Sequence, residues 1–230
     1  MQELHRRLLK IGFEAGDDLA LVLAGGYALA AHELIDRPSR DVDFATSSPL
    51  PLDQIVLRLA AAYRVAGFSA EVVESTSRMA RLVVSAASES CDVDLLKEAI
   101  GPPVILTLGP VLALDDAVGL KMRALYDRAA HRDFIDLYAA SSRVDRRAME
   151  SLGARHTIGF RLEELAERLG AVQALDGELF AFYGLSDDQV SRLRQWAAEW
   201  SSDIWSRLAA GEDGPVGAPA GDWDVYLDEL

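Results

Sequence analysis

Two short acidic pairs are the residues of this chain best suited to chemistry. Asp41-Val42-Asp43 and Asp92-Val93-Asp94 each place two carboxylates two positions apart inside an apolar run. In a strand, positions i and i+2 share a face, so each pair projects one way. Neighbouring carboxylates repel unless a cation lies between them, and their hard oxygens suit magnesium or manganese. Asp is also disfavoured in strands, so its repetition there asks for a reason. Such an ion can bridge to a triphosphate and assist attack on phosphorus. The plain alternatives are a solvent-facing strand for the first pair and a surface hairpin for the second. Asp94, flanked by Val93 and Leu95, is the stronger candidate of its pair, as general base or as a further metal ligand.

Phosphate-facing groups stand near these acids in the sequence. Gly25-Gly26 closes the apolar run from Leu19 to Ala24 and opens a helix. Glycines let a backbone approach phosphate, and a helix N-terminus offers free N–H groups. The same pair would also serve a tight strand-to-helix turn. Ser39, two residues before Asp41, has a hydroxyl to donate. Further on, Lys121 sits in the apolar run from Ala117 to Leu125. A lone ammonium there is drawn toward an anion. Lys121, Leu125 and Arg128 share one side of that helix, which makes Arg128 a second nucleotide-facing cation. Asp136, four residues after Arg132, either braces its own helix or orients Lys121.

These residues need elements to hold them. Residues 2–15 read as a helix, Leu19 to Ala24 as a buried strand and Tyr27 to Ile35 as a helix. Arg40 to Ala45 reads as a strand with Val42 and Phe44 on the face opposite the acids. Leu52 to Gly67 has a helical stripe of Ile55, Leu59, Ala62 and Val65. Phe68 to Glu74, Arg81 to Ala86 and Cys91 to Leu96 read as strands, the last two joined by a turn at 87–90. Val104 to Leu108 reads as an edge strand. After Gly109-Pro110 the pattern turns helical, at about 115–129, 131–142, 145–152, 157–170, 175–183 and 186–208. Asp115 or Asp116 is a candidate N-cap, and Ser186 with Gln189 resembles a capping box. Trp196, Trp200 and Trp205 on the last helix read as core or interface. The expected fold class is α+β: a mixed sheet with helices over 1–110, then a helical bundle over 111–210. An acidic, disordered tail is expected over 211–230, whose Trp223 to Leu227 offers a docking segment.

Composition bounds the function. The chain has 230 residues and a formal net charge of −14, and mean hydropathy is near zero. Residues 211–230 hold six of the acids and no base, leaving the remainder near −8. That argues against a broad non-specific nucleic-acid surface. It leaves room for a local basic track, and residues 117–147 hold seven Lys/Arg against four Asp/Glu. A solvated helix face is the bland reading of that run. No apolar stretch is long enough for a membrane span. One cysteine and four scattered histidines offer neither an internal disulfide nor zinc spacing. A cytoplasmic location is the default expectation.

Gly25-Gly26-Tyr27-Ala28-Leu29-Ala30, then Arg37-Pro38-Ser39-Arg40-Asp41-Val42-Asp43-Phe44, then Val93-Asp94-Leu95, resembles the DNA polymerase β-type nucleotidyltransferase superfamily. With Lys121 and Arg132-Asp133-Phe134-Ile135-Asp136-Leu137, the order of motifs is similar to the AbiEii/AbiGii toxin family. The resemblance covers about residues 18–140. It implies transfer of a nucleoside monophosphate from an NTP, with pyrophosphate leaving and magnesium or manganese as the ion. Asp41 and Asp43 would hold the metal, Gly25, Gly26 and Ser39 would meet the triphosphate, and Lys121 and Asp136 would complete the site. It also implies an RNA acceptor, often the 3′ end of transfer RNA, and a cognate antitoxin. Two other readings stand beside it. One is transfer to a small molecule of the aminoglycoside kind, which suits an acidic chain, or to a protein side chain. The other is a nucleotidyltransferase-like binding protein without activity.

Overall fold

The computed structural model describes residues 1–37, 39–87 and 89–212. These form two compact units, Met1–Leu114 and a second beginning at Asp115. The expected docking segment Trp223 to Leu227, with the rest of 213–230, lies outside the described residues.

The first unit is built on one mixed sheet. Its elements are α1 (Glu3–Glu14), β1 (Leu21–Leu23), α2 (Gly25–Ala31), β2 (Val42–Thr46), α3 (Leu52–Val65), β3 (Ser69–Ser75), β4 (Met79–Ala86), β5 (Glu89–Lys97), β6 (Val104–Leu106) and β7 (Gly109–Val111). The strand order is β3-β4-β5-β2-β1-β7-β6. β2 runs parallel to β5 and antiparallel to β1, while β3, β4 and β5 form an antiparallel meander. Along β4 buried and partly exposed residues alternate, with Ala80, Leu82 and Val84 buried. Val42, Phe44, Val93 and Leu95 continue that apolar face. Helices α1 and α3 cover it. Phe13 meets Phe44 edge-on at 5.5 Å between ring centroids. The opposite face of the same strands carries the charges.

The second unit is helical: α4 (Leu114–Arg128), α5 (His131–Ala140), α6 (Arg146–His156), α7 (Leu162–Gly170), α8 (Gly177–Phe182) and α9 (Asp187–Ala210). Helix α9 packs along α5, α7 and α8 and starts at the expected Ser186–Gln189 capping box. Trp200 is wholly buried and its indole N–H donates to Glu150 at 2.8 Å. Glu150 also accepts from Arg207 at 2.6 Å. Trp205 is exposed. Gly119 of α4 lies so close to α6 that an added Cβ would collide with the His156 ring and the Leu152 carbonyl.

Several boundaries depart from the pattern read in the sequence. β7 was not anticipated, because Gly109-Pro110 reads as a chain breaker. It forms a short strand with Pro110 opposite Ile105 and Val111 beside Leu23. In α3 the buried stripe ends on Tyr63, while Val65 is 90% exposed. That is the 3.6-residue period carrying the core face past Val65. Helix α4 already begins at Leu114, so Asp115 and Asp116 occupy its first turn rather than its cap. Residues 157–161 lie outside helices because α6 runs on to His156.

Candidate active site

The parallel register of β2 and β5 sets Asp43 directly beside Asp94. The antiparallel register of β4 and β5 sets Arg81 beside Asp94 on the other side, and β3 adds Glu74 opposite Arg81. Paired residues on adjacent strands share a face. One row of charges therefore crosses the open side of the sheet: Glu74, Arg81, Asp94, Asp43. Adjacent strands lie about 4.8 Å apart. At that spacing Asp94 and Asp43 repel each other unless a positive group intervenes.

Arg81 flanks Asp94 on the side away from Asp43. Its Nε donates to Asp94 Oδ1 at 2.6 Å and its Nη2 to Oδ2 at 2.7 Å, a bidentate pair. Hydrogen bonding to that carboxylate pushes the Arg81 pKa further up. Sequence reasoning missed Arg81, because it placed a four-residue turn at 87–90. The strands in fact pair as far as Ala86 and Glu89. A four-residue turn would have set Arg81 opposite Leu96, whereas the shorter connection sets it opposite Asp94.

Asp41 lies just ahead of β2, not within it. The Ser39 hydroxyl, itself buried, donates to Asp41 Oδ1 at 2.9 Å. The bond orients the Asp41 carboxylate just ahead of the strand. Gly25 opens α2 with φ of +60°, and the position of its missing side chain is taken by the Asp43 carboxylate. Any other residue there would be strained and would push Asp43 away. A Cβ on Gly26 would stand 3.0 Å from Ser39 Oγ and 3.6 Å from Arg37 Nη2. Gly25, Gly26, Ser39, Asp41 and Asp43 are thus drawn into one cluster. Behind it, His5 Nδ1 lies 2.7 Å from the Tyr27 hydroxyl, which donates to the Ser39 carbonyl at 3.5 Å. Burial pushes the His5 pKa down and the Tyr27 pKa up. Both residues therefore stay neutral under the Ser39 segment. The nearby Cys91 thiol is pushed up to about 12 by burial, so it offers no thiolate nucleophile.

Among the described residues, no three His, Cys, Asp or Glu side chains gather as a metal cluster. The donors present still fit magnesium, which binds through one or two carboxylates and takes its other oxygens from phosphates and water. Asp41 and Asp43 supply that number, and Asp94 is directed to Arg81.

In the second unit Lys121 Nζ pairs with Asp136 Oδ2 at 2.8 Å, and the Asp136 side chain is fully buried. The apolar run around Lys121 thus encloses an ammonium with its counter-ion. Arg128 is clamped by Asp133 through two bonds of 2.9 Å, and Asp133 also accepts from the Ala130 N–H ahead of α5.

The sheet, the glycine turn and the carboxylates describe a protein of the nucleotidyltransferase class. The chain belongs to the family described as nucleotidyl transferase AbiEii toxin, type IV toxin–antitoxin system, whose model matches residues 7–204. No curated protein matches the sequence. Solved structures share the fold at low identity. A Helicobacter pylori protein described as a candidate nucleotidyltransferase superposes with a TM-score of 0.56 at 16% identity, over 93% of this chain and 100% of its own. JHP933 of the same organism gives 0.54 at 16%, over 92% and 96%. The MenT4 nucleotidyltransferase toxin of Mycobacterium tuberculosis gives 0.51 at 18%, over 90% and 93%. Among the described residues no helix is long and apolar enough to cross a membrane.

Proposed function

We propose that this protein transfers a nucleoside monophosphate from an NTP to RNA, at the 3′ end of transfer RNA, and acts as the toxin of a toxin–antitoxin pair. The observation that carries the reading is the cluster in which Gly25 gives up its side-chain space to Asp43 while Ser39 holds Asp41. Family membership supports the chemistry. The seven Lys/Arg of residues 117–147 support an RNA acceptor. A cognate antitoxin is part of the proposal on the family's description.

The chain's own groups divide the work. Asp41 and Asp43 would hold magnesium or manganese, which when bound neutralises phosphate charge. Gly25 and Gly26 let the triphosphate approach the backbone, and the Ser39 hydroxyl keeps Asp41 oriented. The acceptor hydroxyl attacks the α-phosphorus, a new P–O bond forms, and the bond to the β-phosphate breaks with pyrophosphate leaving. Asp94 is the base proposed to take the hydroxyl proton. Lys121, held by Asp136, is assigned the charge that develops on pyrophosphate, and Arg128 a supporting contact to the nucleotide.

The test incubates the purified protein and each labelled NTP with magnesium, offering total RNA, a protein extract or an aminoglycoside. Label on a transfer-RNA-sized band is the expected result. Label only on protein or drug replaces the acceptor, and no label with any acceptor overturns the reading.

A further inference from the structure

Arg81 belongs to no motif of the site, yet it takes both oxygens of the one carboxylate that stands beside Asp43. We propose that this guanidinium is an exchangeable latch: it masks Asp94 until a triphosphate binds, then moves to a phosphate oxygen and frees Asp94. The inference rests on the reading of Asp41 and Asp43 as metal ligands and adds a substrate-binding residue to it.

Three features of the row argue for exchange over a permanent strut. The Arg81 side chain is 40% exposed and that of Asp94 14%, so the guanidinium lies within reach of a ligand on that face. The guanidinium fork also fits phosphate and carboxylate with the same two-point geometry, so leaving Asp94 sacrifices no bonding pattern. The third feature is charge. A dication held by Asp41 and Asp43 would repel the guanidinium, while the triphosphate bound with it would attract it. The same binding event therefore weakens the hold on Arg81 and supplies its new partner. Asp94 then gains a free carboxylate at the moment a base is needed.

The experiment compares wild type with Arg81→Ala, Arg81→Lys, Asp94→Asn and the double variant Arg81→Ala/Asp94→Asn, all checked for folding by circular dichroism. Manganese binding without nucleotide is followed by electron paramagnetic resonance. Arg81→Ala is expected to bind manganese about tenfold more tightly, because the Asp94 charge beside Asp43 is then no longer neutralised by the guanidinium. The double variant is expected to lose that gain. Titration with each NTP in the presence of calcium is expected to show about tenfold weaker binding by Arg81→Ala, with Arg81→Lys in between.

Unchanged manganese affinity in Arg81→Ala overturns the latch, as does a gain that survives Asp94→Asn. A parallel titration with a single-stranded RNA oligonucleotide separates the two sources of phosphate. If Arg81→Ala weakens RNA binding but not NTP binding, the proposal for the triphosphate is wrong. Asp43→Ala tells the two levels of argument apart. Wild-type-like manganese binding in Asp43→Ala refutes the underlying metal reading, whereas its loss, with Arg81 variants matching wild type, refutes the latch alone.

Discussion

The two units use the same residue types to opposite ends. In the first, acids and an arginine line up on an open sheet face, and Asp43, Asp94 and Arg81 are neighbours by strand register. In the second, buried carboxylates are held within helix packing: Asp136 by Lys121, Asp133 by the half-exposed Arg128, Glu150 by Arg207 and the Trp200 indole. A buried ion pair is costly to break because the remaining partner has no water to turn to. An open carboxylate can change partners at little cost. The first arrangement suits binding and exchange; in the second the buried acids fix helices and hold Lys121 and Arg128, the cations proposed for the nucleotide.

That contrast can be broken most sharply at Asp41. Asp41→Asn should lower transfer by about three orders of magnitude while the melting temperature hardly moves, measured by labelled-NTP kinetics beside calorimetry. Glu150→Ala should do the reverse. It removes the acceptor of the buried Arg207 Nη2 and of the Trp200 indole and should cost about 3–5 kcal/mol in denaturant unfolding. Transfer per folded molecule should persist. Equal stability losses in the two variants would erase the distinction.

A smaller effect is expected at Gly25, where both demands meet. Gly25→Ala must accept a φ of +60° and displace the Asp43 carboxylate. It should lose about a hundredfold in transfer and about 1 kcal/mol in stability. Wild-type activity would mean that Asp43 does not depend on the glycine. The smallest effect concerns His5, a buried group of the first unit. Its pKa is pushed below 6.5, chiefly by burial. The unfolded chain therefore binds a proton more readily than the folded one, and stability should fall as pH drops through about 6.5. Denaturation midpoints across that range should show the loss, and His5→Gln should remove its share.

Much of the first unit could be read from the chain, because a single-faced sheet leaves a period-two record. Val42 and Phe44 against Asp41 and Asp43 is such a record, and Leu52 to Tyr63 carries the helical equivalent. What could not be read was adjacency. Asp43 meets Asp94 only because β2 and β5 pair in parallel across some fifty residues of intervening chain, and no local pattern encodes that. Arg81 was lost to a two-residue difference in turn length. Asp41 was assigned to the strand, since alternation alone does not fix where pairing begins, and β2 starts at Val42. In the second unit the pairing of Lys121 with Asp136 was foreseeable from the cost of a lone ammonium in an apolar run. The clamp of Asp133 on Arg128 was not, because it depends on how α4 turns into α5.

The central claim is that the open carboxylates of the sheet carry the transfer. The most direct measurement is magnesium-dependent labelling of RNA by wild type and Asp43→Ala, at matched concentrations of folded protein. The account predicts a labelled transfer-RNA-sized band with wild type and none with Asp43→Ala. Equal labelling by the two proteins would contradict it.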